Sequence, residues 1–201
     1  MSFLKTKRKK HIKITLIGDG ATGKSSYFDR LSNGLSSSYK FSKKYDATIG
    51  CNVCQLEFTV NGESIIVHLF DTAGQEKFGT LRDSYILGSD AIIGMYDISN
   101  IDTKNNISEW IANIKRICDE NKIKNIPISI CGNKCDLEKK IKEPRSTYEF
   151  RQSCLDGMYN NYGKIKSELI SVKANINLIS PFIFLIKQIF GLWSDPQLIR
   201  V

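Results

Sequence analysis

The chain has 201 residues, 41% of them hydrophobic and 25% charged, with a formal net charge of +8. That is ordinary for a soluble globular protein and enough for one domain with a sizeable core. Six cysteines follow no secretory signal, so free thiols in a reducing compartment are expected rather than a disulfide scaffold.

Lys5, Lys7, Arg8, Lys9 and Lys10 form a basic run. Residues 1–10 read as a flexible basic segment, with an import signal or a patch for nucleic acid or acidic lipid as sharper alternatives. "HIKITLI" then predicts a buried strand, followed directly by "GDGATGKSS" at 18–26. The spacing Gly18-x-x-x-x-Gly23-Lys24-Ser25 is that of a phosphate-binding loop, and residues 25–31 open a helix. Backbone N–H groups at a helix N-terminus cradle anions, and the glycines at 18, 20 and 23 let that backbone come close. Lys24 adds a charge for the β- and γ-phosphates, and the Ser25 hydroxyl is placed for Mg²⁺. The loop as a whole, Gly18, Asp19, Gly20, Ala21, Thr22, Gly23, Lys24, Ser25 and Ser26, is the first half of the candidate site.

"NVCQLEFTV" alternates, with Cys54, Leu56, Phe58 and Val60 on one face. Asn61-Gly62 predicts a hairpin turn and "SIIVHLF" its partner strand. Cys51-x-x-Cys54 does not suggest zinc, because those two side chains leave opposite faces of the strand. "DAIIGMYD" is a further buried strand, and Ile107, Trp110, Ile111, Ile114 and Ile117 mark an amphipathic helix. "IPISICG" and "ELISVK" are strands. Between them 137–167 is polar, with a helix expected at about 146–154. Ile179, Phe182, Ile183, Ile186, Phe190 and Trp193 recur at helical spacing, so the apolar 177–193 stretch reads as a packed final helix rather than a membrane anchor. One hairpin among βα repeats implies an α/β fold. We expect a six-stranded, mostly parallel sheet with one antiparallel edge strand and helices on both faces, in a single domain over 11–201.

A phosphate loop alone suits kinases, ATPases and GTPases. "GNKCD" separates them. The Asp136 carboxylate can accept N–H bonds from guanine N1 and the 2-amino group, a donor pair adenine lacks. Asn133 and Lys134 lie at the same strand end, where α/β sheets bind ligands, and the Lys134 stem can cover one face of the base. "SVK" (Ser171, Val172, Lys173) can offer a backbone N–H to guanine O6. In "FDTAGQEKFGTLRDSYI", Asp71 can hold Mg²⁺ through water, Gly74 can give its N–H to the γ-phosphate, and Gln75 can orient the attacking water. Thr48 can complete the Mg²⁺ shell. His11 and His68 have no visible partners and read as structural.

These segments together resemble the Ras superfamily of small GTPases over nearly the whole chain. "KKYDATIG", "DTAGQEKFGTLRDSYI", "ICGNKCDL" and "SPFIFLIKQIFG" with "SDPQL" resemble its Ran-type, nuclear-transport branch. The resemblance implies a G domain that binds GTP and GDP with Mg²⁺ and hydrolyses GTP slowly unaided. It implies that Phe41 packs against the base, that Lys43 and Lys44 join the nucleotide site, and that Tyr45 helps place the catalytic Gln75. It also implies a GTPase-activating protein, a guanine-nucleotide exchange factor and importin-β-type receptors as partners, with no nucleic acid required. A monomer in nucleus and cytoplasm is expected. No lipid anchor is expected either, since the last cysteine is Cys154 and residue 2 is Ser. The chain departs from that branch at Ala21 (glycine there), Phe70 (tryptophan), "SVK" (SAK) and in a longer 137–170 stretch, and the branch's acidic tail is not expected after Val201. Two rivals stay open: a scaffold that holds nucleotide without turning it over, and a Rab-like trafficking GTPase. A nucleotide kinase is disfavoured by "NKCD" with "DTAGQ".

Overall fold

A computed structural model describes residues 10–35, 48, 50–72, 80–123, 126–141, 145–150, 154–155, 157 and 164–200. The candidates Phe41, Lys43, Lys44, Tyr45, Gly74 and Gln75 lie outside these residues, as does the basic run except for Lys10.

The strands are β1 (Lys10–Ile17), β2 (Cys51–Val60), β3 (Glu63–Thr72), β4 (Ala91–Asp97), β5 (Ile128–Asn133), β6 (Ile165–Leu169) and β7 (Gln197–Arg200). The helices are α1 (Lys24–Ser32), α2 (Thr80–Ile86), α3 (Ile101–Asn105), α4 (Ile107–Glu120), α5 (Arg145–Tyr148) and α6 (Ser180–Phe190). One sheet runs in the order β6-β5-β4-β1-β3-β2-β7. The central pairs are parallel, and β4 is buried at every position, as expected of a strand covered on both faces. Strand β2 runs opposite to the strands on both its sides, and Asn61 (φ 49) and Gly62 (φ 75) turn it into β3.

The sheet has seven strands where six were expected, and the expected antiparallel edge is β7. It pairs with β2, so β2 is interior. The four-residue "QLIR", with its two apolar residues adjacent, carries no alternation that would mark a strand. Lys10 is a second correction: it belongs to β1, opposite Ile65, and bridges Glu63 at 2.9 Å. The strand expected at 168–173 instead spans Ile165–Leu169.

Odd and even strand positions feed two cores. Ile14, Leu16, Leu56, Phe58 and Leu69 pack under α1 and α6. Ile92, Ile111, Ile114, Ile128 and Ile130 pack on the opposite face with α4. Helix α6 starts with Pro181 in its first turn and stops at Gly191, which adopts a left-handed φ of 61°. Trp193 therefore falls past the helix and is 97% exposed, while Leu185, outside the expected stripe, is fully buried in the core. The helix expected at 146–154 ends at Tyr148, with Glu149 and Phe150 non-helical. Among the described residues no helix is long and apolar enough to cross a membrane. His11 and His68 do have partners, each other: their rings stack at 5.3 Å, with Nδ1 of His11 3.0 Å from Nε2 of His68.

Candidate guanine-nucleotide site

Parallel pairing brings the C-terminal ends of β1, β3, β4 and β5 to one edge of the sheet. Consequently the 18–25 loop, Asp71, Asp97 and Asn133 meet there, the position at which open α/β sheets bind ligands.

The loop leaves β1 through Gly18 (φ 132), where a Cβ would lie 2.2 Å from the Met95 carbonyl oxygen. Only glycine fits that approach. Gly23 (φ 99) is the N-cap of α1 and makes no side-chain cap, so the helix's first N–H groups are open to an anion. Ala21 adopts φ 60, a left-handed conformation in which its Cβ is strained. Gly20 is half-buried in the loop, and Ser26 half-buried in the first turn of α1. Thr22 is buried and donates to the Asp19 carbonyl at 2.9 Å. Lys24 is also buried. Its ammonium donates to the carbonyls of Gly18 and Asp19 at 2.8 and 2.7 Å. Burial pushes it down from the usual 10.5 to about 8, against the pull of Asp71 and Asp19.

Beside Lys24 three oxygens converge. Ser25 Oγ is 2.6 Å from Thr48 Oγ1, and Thr48 Oγ1 is 3.4 Å from Asp71 Oδ2. Asp71 is fully buried at the end of β3, and among the described residues its Oδ1 accepts no hydrogen bond. Burial raises the Asp71 carboxyl above the usual range, opposed by the Ser25 hydroxyl, the Lys24 ammonium and the Thr48 hydroxyl. Two hydroxyls and an unsatisfied buried carboxylate oxygen form a hard-oxygen donor set of the kind Mg²⁺ takes, with the carboxylate able to act through a water.

The other half of the site centres on Asn133, 3% exposed at the end of β5. Its Nδ2 donates to the Thr22 carbonyl at 2.9 Å, while its Oδ1 accepts from the N–H of Val172 at 3.2 Å. One side chain thus ties the phosphate loop to the "SVK" segment. Lys134 follows in a left-handed conformation (φ 68). Its ammonium is held at 2.5 Å by Asp97 Oδ2 and at 3.2 Å by the Ala21 carbonyl, which lays its stem between the loop and β4. Asp136 is half-buried in the 3-10 turn Cys135–Lys140, and its Oδ1 accepts from Ser171 Oγ at 2.6 Å.

Several of these links were not visible in the sequence. The Ser171 hydroxyl orients Asp136, and itself accepts from the Ala174 N–H at 2.9 Å. Val172 gives its N–H to Asn133, and Lys173 is exposed. Asp97, which fixes Lys134 and accepts from Ser99, carried no motif signal beyond ending a buried strand. The Asp19 carboxylate is held by Asn106 at the α3–α4 junction and by Trp110 of α4. A model of the Ras family matches residues 13–190, and with 18–25, Asp71 and Asn133 placed at one sheet edge the chain belongs to that family of small GTPases.

Proposed function

We propose that this chain is a GTP-hydrolysing switch of the Ran type, working in nucleus and cytoplasm in protein transport. Members of its family bind GTP and GDP with Mg²⁺ and work with activating and exchange proteins. What supports the reading here is the meeting of Ser25, Thr48 and Asp71 oxygens beside the Lys24 ammonium, on the sheet edge that also carries Asn133 and Asp136. The transport assignment rests on the switch-like sequences "KKYDATIG" and "DTAGQEKFGTLRDSYI".

In this reading the amides of 18–25 and the Lys24 ammonium bind the phosphates. Bound Mg²⁺ would be held by Ser25 and Thr48, and by Asp71 through water, and would offset charge developing on the β–γ bridge. Gln75 orients the attacking water, and the Gly74 N–H, with Thr48, senses the γ-phosphate. Loss of that phosphate removes the anchor of both segments, and partners read the change. Unaided turnover should be on the order of 10⁻⁴ per second, as is typical of this family. Asp136 selects guanine, with Ser171 fixing its carboxylate.

A two-part experiment tests this. Single-turnover hydrolysis compares wild type with Gln75→Leu, and the Gln75→Leu form, loaded with GTP, is mixed with purified importin-β-type receptors. Slow wild-type hydrolysis, loss in the variant and GTP-dependent receptor capture are expected. No hydrolysis with or without an activating protein would make the chain a nucleotide-holding scaffold. Hydrolysis without receptor capture would overturn only the transport role.

A further inference from the structure

Asp19 puts a carboxylate inside a loop built to receive anions. Left unheld, it could lie against the phosphate cradle and repel the ligand, or be buried without a partner; both are unfavourable. Neither occurs. Asp19 is 8% exposed, and its two carboxylate oxygens accept hydrogen bonds from the α3–α4 junction and from α4. Asn106 Nδ2 donates to Oδ2 at 2.6 Å, and Trp110 Nε1 donates to Oδ1 at 3.0 Å.

Both donors are committed in ways that local structure does not require. Asn106 sits where α3 passes into α4. Asparagine is a strong N-cap, yet here it has helical angles (φ −66, ψ −17) and no side-chain cap bond. Its amide goes to Asp19 instead. Trp110 is 5% exposed, and a buried indole N–H must find an acceptor. The acceptor comes from 91 residues away in the chain. Meanwhile the Asp19 backbone carbonyl accepts from Lys24 Nζ and Thr22 Oγ1. One residue is therefore held from both sides: its main chain by the phosphate-binding lysine, its side chain by Asn106 and Trp110.

We propose that Asn106 and Trp110 are positioning residues for the phosphate loop: by fixing the Asp19 carboxylate they hold 18–25 in its anion-receiving shape and set how slowly nucleotide leaves. The proposal rests on the nucleotide-binding reading above. These hydrogen bonds are charge-assisted and partly or fully buried, the class with the largest effect when one partner is removed. The sequence separations, 87 and 91 residues, hid the arrangement from any local motif.

The test uses the full chain loaded with a fluorescent GDP analogue in Mg²⁺ and chased with excess GDP. Asn106→Ala, Trp110→Phe and Asp19→Ala should each release nucleotide about tenfold faster. The doubles Asp19→Ala/Asn106→Ala and Asp19→Ala/Trp110→Phe should be no faster than Asp19→Ala alone, because both donors reach the loop through that carboxylate. A purely structural role for Trp110 or Asn106 would instead multiply with Asp19→Ala. Release from Asn106→Ala and Trp110→Phe at the wild-type rate, or multiplying effects in the doubles, would overturn the proposal. Should Trp110→Phe not fold, Asn106→Ala at the half-buried helix junction carries the same test. A wild-type chain that retains no guanine nucleotide would remove the functional reading and this proposal together; retention with unchanged variants removes the proposal alone.

Discussion

The base end and the phosphate end of the site are built on different terms. At the base end the key polar groups have protein partners: Asn133 bonds to Thr22 and Val172, Lys134 to Asp97, Asp136 to Ser171. At the phosphate end, among the described residues, Asp71 Oδ1 is buried without a hydrogen bond and the Lys24 ammonium bonds to backbone carbonyls, while Ala21 is left-handed. The first is a set of side chains that satisfy one another. The second stores unfavourable terms that an anion and a cation would relieve, the usual place for a fold to give up stability for function.

Two glycines probe the frame that the ends share. Gly18→Ala drives a Cβ to 2.2 Å from the backbone oxygen of Met95, at a φ of +132°. Backbone cannot give way cheaply, so a loss of about 4 kcal/mol or more is expected in urea unfolding. Gly23→Ala meets a side chain instead, with Asn133 Nδ2 at 2.3 Å. We expect about 2 kcal/mol there. Guanine affinity should fall with it, because moving Asn133 breaks the bond to Thr22 that joins the two ends. Equal costs for both substitutions would mean that the frame is softer than the contacts imply.

That asymmetry also bears on what the sequence could disclose. Gly18, Gly23, Lys24 and Ser25 are legible because a phosphate loop needs fixed residue types at fixed local spacing. The buried strands are legible because burial on two faces leaves nearly continuous runs without charge, as in Ala91–Tyr96 of β4. Partnerships across the fold leave no such trace. Asp97 with Lys134, Ser171 with Asp136, and Asn106 and Trp110 with Asp19 are 35 to 91 residues apart. Edge strand β7 leaves a faint trace because a strand paired on one side needs little hydrophobicity, and Trp193 fits a stripe it does not join because helical spacing says nothing about where Gly191 ends the helix.

Protonation separates the two ends in solution. Lys24 falls from the usual 10.5 to about 8 in the folded chain, mainly by burial. The unfolded chain therefore binds more protons between about pH 8 and 10.5, so the nucleotide-free fold should gain stability as pH rises through that window. Nucleotide phosphates favour the ammonium, so affinity should run the other way and weaken, up to about tenfold per pH unit above pH 8. Calorimetry at pH 8.5 in buffers of different ionisation enthalpy should record uptake of up to about one proton per nucleotide. Lys24→Met should abolish it. Uptake unchanged in that variant would place the titrating group elsewhere.

Asp71→Asn tests the stored cost at the phosphate end. Removing a buried charge with an unsatisfied oxygen should stabilise the nucleotide-free chain by about 1 kcal/mol. The same change should flatten the dependence of nucleotide release on Mg²⁺. A less stable free protein would show that the carboxylate is better accommodated than its orphan oxygen indicates.

The smallest effect belongs to Ala21. A left-handed alanine costs roughly 1 kcal/mol relative to glycine, but glycine adds freedom to the unfolded chain, so Ala21→Gly should gain only about 0.5 kcal/mol in urea unfolding. The contrast with Asn61 explains why any gain is expected. Asn61 has φ 49 in the β2–β3 turn, where an asparagine side chain tolerates the left-handed region, whereas alanine has no polar group to compensate. Ala21 also supplies the carbonyl that accepts from Lys134, so the backbone must keep this conformation for the two ends to touch. If Ala21→Gly stabilises the free chain while leaving nucleotide release unchanged, the strain is local to one residue. If release slows as well, the strain is transmitted through that carbonyl to Lys134, and the base end is less independent of the phosphate loop than its hydrogen bonds suggest.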